Sequence, residues 1–131
     1  MTTRRILIVD DEPDALEFLR DLLEDNDYVV ASADSAAAGL AQAKRERPDL
    51  ICVDVLMPDQ SGISLYQQLK TDPELKDIPV LITSGLNVSR DLDKIEYRRL
   101  PDGAMIPEPE GFVEKPVNIQ RFMDLVARVL G

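Results

Sequence analysis

The run Leu50-Ile51-Cys52-Val53 is apolar and partly β-branched, and it ends on a single carboxylate, Asp54. A run without polar alternation makes a strand buried on both faces, which requires a sheet covered by helices on both sides. Pro58 removes a backbone donor and Gly62 permits a tight path, so the chain loops after Asp54 and a helix starts near Gly62. Asp54 then stands at the C-terminal end of a central strand, the edge at which open α/β sheets hold their ligands. An isolated aspartate at such a place is more often a cap or turn residue, so the other strand ends have to decide.

Arg4 to Val9 reads as a first strand that ends in Asp10 and Asp11, with Glu12 and Pro13 opening a helix to about Asp25. Ala15, Leu19, Leu22 and Leu23 give that helix its apolar face. Tyr28 to Ala31 is the second strand, and Ser35 opens an alanine-rich helix that Pro48 and Asp49 terminate before the central strand. Leu65, Tyr66 and Leu69 define a helix to about Lys70, followed by a polar loop over Thr71 to Asp77. Ile78 to Thr83 is the fourth strand, ending in Ser84 and Gly85. Asn87 to Leu100 carries helical spacing through Leu92, Ile95 and Arg99 or Leu100. Pro101 to Gly111 holds three prolines, two glycines and two glutamates and is an irregular loop. Phe112 to Glu114 is a short fifth strand that runs into Lys115 and Pro116, and Asn118 to Leu130 is the most regular helix, with Ile119, Phe122, Met123, Val126 and Val129 on one face.

Strands alternating with helices imply one domain over residues 1–131, a doubly wound parallel sheet of five strands with right-handed crossovers and helices on both faces. Its C-terminal edge gathers Asp10, Asp11, Asp54, Ser84 and Lys115. A net charge of −10 with no basic stripe argues against nucleic acid and anionic membranes as partners. No apolar stretch reaches the length of a membrane span, and the expected location is cytoplasmic. With no histidine, the chain cannot hold a Ser-His-Asp triad, a His-ligated zinc or a phosphohistidine. The single cysteine, Cys52, lies in the apolar strand and reads as core packing.

Three carboxylates at one edge repel one another unless a cation neutralises them, and an all-oxygen set suits Mg²⁺, which keeps waters and takes phosphate oxygens as further ligands. Asp54 is then a nucleophile toward phosphorus, Lys115 and the metal neutralise the transferring oxygens, and Ser84 donates a hydrogen bond. Removing Mg²⁺ should abolish such a reaction.

Val9-Asp10-Asp11, Asp54-Val55-Leu56-Met57-Pro58 with Gly62 beyond it, Ser84-Gly85 and Lys115-Pro116 together resemble the receiver domain of two-component response regulators, over Arg4 to Leu130. The resemblance implies a flavodoxin-like sheet of order 2-1-3-4-5 and phosphorylation of Asp54 by a histidine kinase or phosphotransfer protein, with the domain catalysing only its own phosphorylation and dephosphorylation. It implies Asp10, Asp11, Asp54 and the backbone carbonyl of Leu56 as Mg²⁺ ligands. Ser84 matches the switch hydroxyl in preference to Thr83, and Phe112 the aromatic position that repacks with it. Lys115-Pro116 is similar to a peptide that is cis in the family. Leu56 and Leu86 fall where the family tunes phosphoryl lifetime, and two apolar groups there should shield an acyl phosphate. The stretch from Ser84 to Lys115 is longer than the family usually has, the excess lying in Pro101 to Gly111, so neither the downstream protein target nor a homodimer carries over from the resemblance.

Two other readings stand beside it. A receiver-shaped interaction module that needs no phosphate would use the rebuilt loop. A phosphate-ester hydrolase of the dehalogenase type would want a second acid two residues after Asp54, where the chain has Leu56. The six glycines form no phosphate-cradling loop, which disfavours a nucleotide fold. The chain ends after its last helix, leaving open a single-domain regulator or a domain separated from its effector.

Overall fold

Every residue of β3 (Leu50–Asp54) and β4 (Val80–Ser84) is buried, so these two strands form the centre of the sheet. The computed structural model describes residues 3–55, 61–85 and 96–131. Beside them lie β1 (Arg5–Val9), β2 (Val29–Ala33) and β5 (Gly111–Glu114), all parallel, in the order β2-β1-β3-β4-β5. Among the described residues four helices accompany them: α1 (Pro13–Glu24), α2 (Ala36–Glu46), α3 (Ser61–Thr71) and α4 (Ile119–Leu130).

The period of two in a strand sends alternate side chains to opposite faces. Leu7, Val9, Ile51, Val53, Val80 and Ile82 meet α2 and α3 through Ala43, Leu65, Tyr66 and Leu69. Ile6, Ile8, Leu50, Cys52 and Leu81 meet α1 and α4 through Leu19, Leu23, Phe122 and Val126. Both faces are therefore apolar, as the sequence requires of a doubly covered sheet. Capping fixes where helices begin. Ser35 Oγ accepts the Ala38 N–H at 3.2 Å and Asn118 Oδ1 accepts the Arg121 N–H at 2.9 Å, while α1 starts on Pro13.

The boundaries differ most from the sequence expectation in β2, in β4 and in the stretch before β5. β2 runs to Ala33 rather than Ala31, because the parallel register pairs Leu7 with Ala31, Ile8 with Ser32 and Val9 with Ala33. β4 begins at Val80, since the Ile78 N–H is spent on a turn to the Leu75 carbonyl at 3.0 Å and Pro79 has none to give. Of the helix expected over Asn87 to Leu100, residues 87–95 lie outside the described residues, and the remainder is not helical. Glu96 has a left-handed φ of 49°, and the chain then forms a small antiparallel hairpin. Ile106 donates to the Arg98 carbonyl and Leu100 to the Ala104 carbonyl, both at 2.8 Å, about a tip where Gly103 has φ 89°. The stretch expected to be irregular thus holds half of a hairpin and the first residue of β5.

Candidate functional site

The first acid also shapes the chain that carries it. Asp10 follows β1, is 1% exposed, and its Oδ1 accepts the Glu12 N–H at 3.0 Å, turning the backbone into α1. Asp11 and Glu12 are exposed. Oxygens of Asp10, Asp11 and Glu12 lie within 4.8 Å of one another, a grouping that can hold a metal ion.

Asp54 closes β3 opposite Thr83 of β4 and is 4% exposed. Gly62, at the start of α3, sits so close that a Cβ there would collide with the Asp54 carbonyl and the Val55 Cα. Only glycine lets the returning helix cross the end of the strand at that distance. Ser84 ends β4 fully buried, and its Oγ has no hydrogen-bond partner among the described residues. Its carbonyl accepts the Lys115 N–H at 2.7 Å, which ties the ends of β4 and β5 together.

Lys115 joins these elements. Its Nζ donates to Asp10 Oδ2 at 2.7 Å and to Asp54 Oδ2 at 3.3 Å, bridging residues from β1 and β3. Burial, the largest single influence, acts to lower its pKa, but the hydrogen bond the ammonium donates to Asp10 and the charges of Asp54 and Asp10 outweigh it and hold the pKa above 10.5. The Lys115-Pro116 peptide is cis, as the resemblance implied.

The sheet therefore brings Asp10, Asp54 and Lys115 into contact, with Asp11 beside Asp10 and Ser84 on the neighbouring strand end. Phe112 lies on β5 opposite Ile82, half-buried against the α2–α3 side of the core. Leu56 and Leu86 fall outside the described residues. Sequence reading passed over Glu12 as an acid of this cluster, having taken it as a helix-opening residue; a third consecutive carboxylate was the available signal.

The donor set suits a hard divalent cation: it is all oxygen, and its carboxylates outnumber the one ammonium among them. The Ser84 hydroxyl, without a partner among the described residues, is a second mark of the same kind, because a buried hydroxyl without an acceptor is costly in a site that nothing will enter. In chemical terms the edge offers a buried carboxylate as nucleophile, a cation beside it, and a hydroxyl able to donate to an anion.

Comparison with known proteins agrees with this edge. The sequence profile described as "Response regulator receiver domain" matches residues 6–127. The polar-differentiation response regulator DivK of Brucella ovis is 30% identical over 129 residues, covering 98% of either chain. The signal receiver domain of a signal transduction histidine kinase from Syntrophus aciditrophicus superposes with a TM-score of 0.81 at 31% identity, covering 98% of this chain and 90% of that one. The chemotaxis response regulator CheY4 of Vibrio cholerae gives 0.79 at 26% identity, covering 98% and 99%.

Proposed function

This chain belongs to the response regulator receiver domain family, whose general function is phosphorylation-based two-component signalling, and from that premise we propose that Asp54 is its phosphoacceptor. The observation that carries the reading is the single ammonium of Lys115 shared by Asp10 and Asp54 at the C-terminal edge of the sheet. An Asp54 oxygen attacks phosphorus of a phosphohistidine on a histidine kinase or phosphotransfer protein. The new P–O bond forms as the P–N bond breaks, and the electron pair returns to the imidazole nitrogen, which takes up a proton.

Lys115 lies within reach of both acids and neutralises charge on the transferring oxygens. Ser84 supplies a hydroxyl that has no competing partner among the described residues, so turning toward the phosphoryl group breaks no hydrogen bond there. Asp10, Asp11 and Asp54, with the backbone carbonyl of Leu56, would hold Mg²⁺, and Glu12 stands near enough to share in the cluster. When bound, the ion supplies the positive charge that lets an anionic nucleophile approach an anionic donor.

The added charge then shifts a pre-existing equilibrium between two packings at Ser84 and Phe112. Phe112 carries no hydroxyl, so its share is packing alone. The output is altered binding of a protein target by a domain that is single over residues 1–131. The reading is tested by intact mass after incubation with Mg²⁺ and a small phosphodonor. A gain of one phosphoryl group that is lost in Asp54→Asn and with a chelator is expected. No gain by a folded wild-type chain would sink it in favour of a phosphate-independent interaction module.

A further inference from the structure

Two hollows flank α3 and share its exposed Ser64 and Gln68. Ala41 and Lys44 of α2 wall the first, and Pro101 and Asp102 at the tip of the hairpin wall the second. Among the described residues that line them, the only charged groups are Lys44 and Asp102. A face of balanced charge matters in a chain of net charge −10, because two copies repel wherever like charges meet. α1, by contrast, exposes Asp14, Glu17, Asp21 and Glu24 and carries one basic residue, Arg20.

The two charges stand at the same level, on opposite sides of α3. Lys44 Nζ lies 3.8 Å from Oδ2 of Asp72, the residue that follows α3, and Asp102 shares its hollow with Thr71, the last residue of α3. Asp102 Oδ1 accepts the Ala104 N–H at 2.9 Å, which holds the carboxylate at the hairpin tip. The hairpin is tied to α3 by the bonds of Tyr66 to Pro107 and of Gln67 to Tyr97, so the separation of the two walls is set.

We propose that this face pairs with a second copy of the chain, about a two-fold axis running along α3. Such an axis exchanges the two sides of α3 and leaves level along the helix unchanged. The α2 wall of each copy therefore rests on the hairpin tip of the other, and Lys44 meets the partner's Asp102 twice in each dimer. Ser64 and Gln68, between the walls, lie on the axis against their own counterparts. Lys44 is 55% exposed and its contact with Asp72 is long, so its ammonium can take a second carboxylate. The contact is isologous and closes at two copies.

The test is sedimentation velocity over a range of chain concentrations for wild type, Lys44→Glu, Asp102→Lys and the double variant that exchanges the two signs. Wild type should pass from monomer to dimer as concentration rises. Each single reversal spoils two contacts per dimer and should raise the dissociation constant about tenfold, while the double variant should return to within about threefold of wild type. Both positions are exposed, and circular dichroism checks that each fold is intact; Lys44→Gln or Asp102→Asn replaces a reversal that does not fold, with a rise of about threefold expected. Wild type that stays monomeric at every concentration overturns the proposal and leaves the face to a protein of another sequence. A dimer indifferent to both single reversals uses a different face, and a double variant no tighter than the singles breaks the pairing of Lys44 with Asp102; either result overturns it as well.

Discussion

Lys115 and Lys70 both leave solvent, and the chain treats them in opposite ways. Lys115 meets two carboxylates, and although burial acts to lower its pKa, the acids raise it above 10.5. Lys70, on α3, donates to the carbonyls of Lys76 at 3.3 Å and Ile78 at 3.0 Å, and its Nζ lies 5.9 Å from the centre of the Tyr66 ring. Burial again dominates, the charges of Glu110 and Asp77 do not offset it, and the pKa falls below 10.5. Whether the acceptors carry formal charge decides the sign. The region around Lys70 is closed: Tyr66 Oη donates to the Pro107 carbonyl at 2.6 Å, Gln67 to the Tyr97 carbonyl at 2.7 Å, and the Val80 N–H to Glu110 Oε2 at 2.7 Å. The edge around Lys115 is built around charge and a hydroxyl without a partner among the described residues. One region completes the fold, and the other is arranged for something that arrives.

The largest effect should come from removing the ammonium that two buried acids share. Lys115→Met is expected to cost about 3–5 kcal/mol at neutral pH, read by urea denaturation, because Asp10 and Asp54 are left buried beside each other. A loss below about 1 kcal/mol would mean that water replaces the lysine and that the edge is less dry than its burial indicates. Because the folded-state pKa of Lys115 is raised, its contribution is fully present below 10.5 and disappears as the pH climbs through the elevated value. The gap between wild type and variant should therefore stay constant through the neutral range and close only in strong alkali.

Deleting one hydroxyl from each region gives a sharper contrast of smaller size. Tyr66→Phe strips the Pro107 carbonyl of its donor and should cost about 1–2 kcal/mol. Ser84→Ala removes a fully buried oxygen that has no partner among the described residues, so it should cost nothing and gain up to about 1 kcal/mol, while impairing the response to phosphorylation. Thermal melts of the two variants should move in opposite directions. A destabilised Ser84→Ala would place that hydroxyl in the same class as Tyr66.

The two regions were unequally legible. Asp10, Asp54, Ser84 and Lys115 each stand at the end of a short apolar run, so a local pattern placed them on one edge before any contact was known. The hairpin gives no such signal. Ile95, Arg99 and Leu100 carry helical spacing, yet the described part of that stretch turns back through Glu96 and pairs Arg99 with Met105. What holds it is long-range: Tyr66 and Gln67 on α3 bind main-chain carbonyls some thirty to forty positions away, and Ile106 is 4% exposed in the core. Tertiary bonds of that reach override a weak helical preference. The same distinction explains Glu110, which looked like one charge in a loop and is the acceptor for the first N–H of β4.

The smallest expected effect belongs to the other lysine. Lys70→Met removes two hydrogen bonds to carbonyls, and it also removes a charge that burial disfavours, so the two effects oppose and the net change at neutral pH should stay within about 1 kcal/mol. The pH dependence separates it from Lys115 even where the size does not. A lowered folded-state pKa means that the unfolded chain binds the proton more tightly. The contribution of Lys70 to stability should therefore improve as the pH rises through the folded value toward 10.5, before Lys115 begins to lose its own. Cys52, its thiol pushed up to about 12 by burial, and Tyr66, also raised by burial, erode alkaline stability in every variant alike and cancel in the differences. Denaturation of wild type and both methionine variants at a series of pH values from 7 to about 11 should then show wild type gaining on Lys70→Met as it later loses its lead over Lys115→Met. Slopes of the same sign would break the comparison, because they would mean that the carbonyls around Lys70 stabilise its charge as the carboxylates do for Lys115.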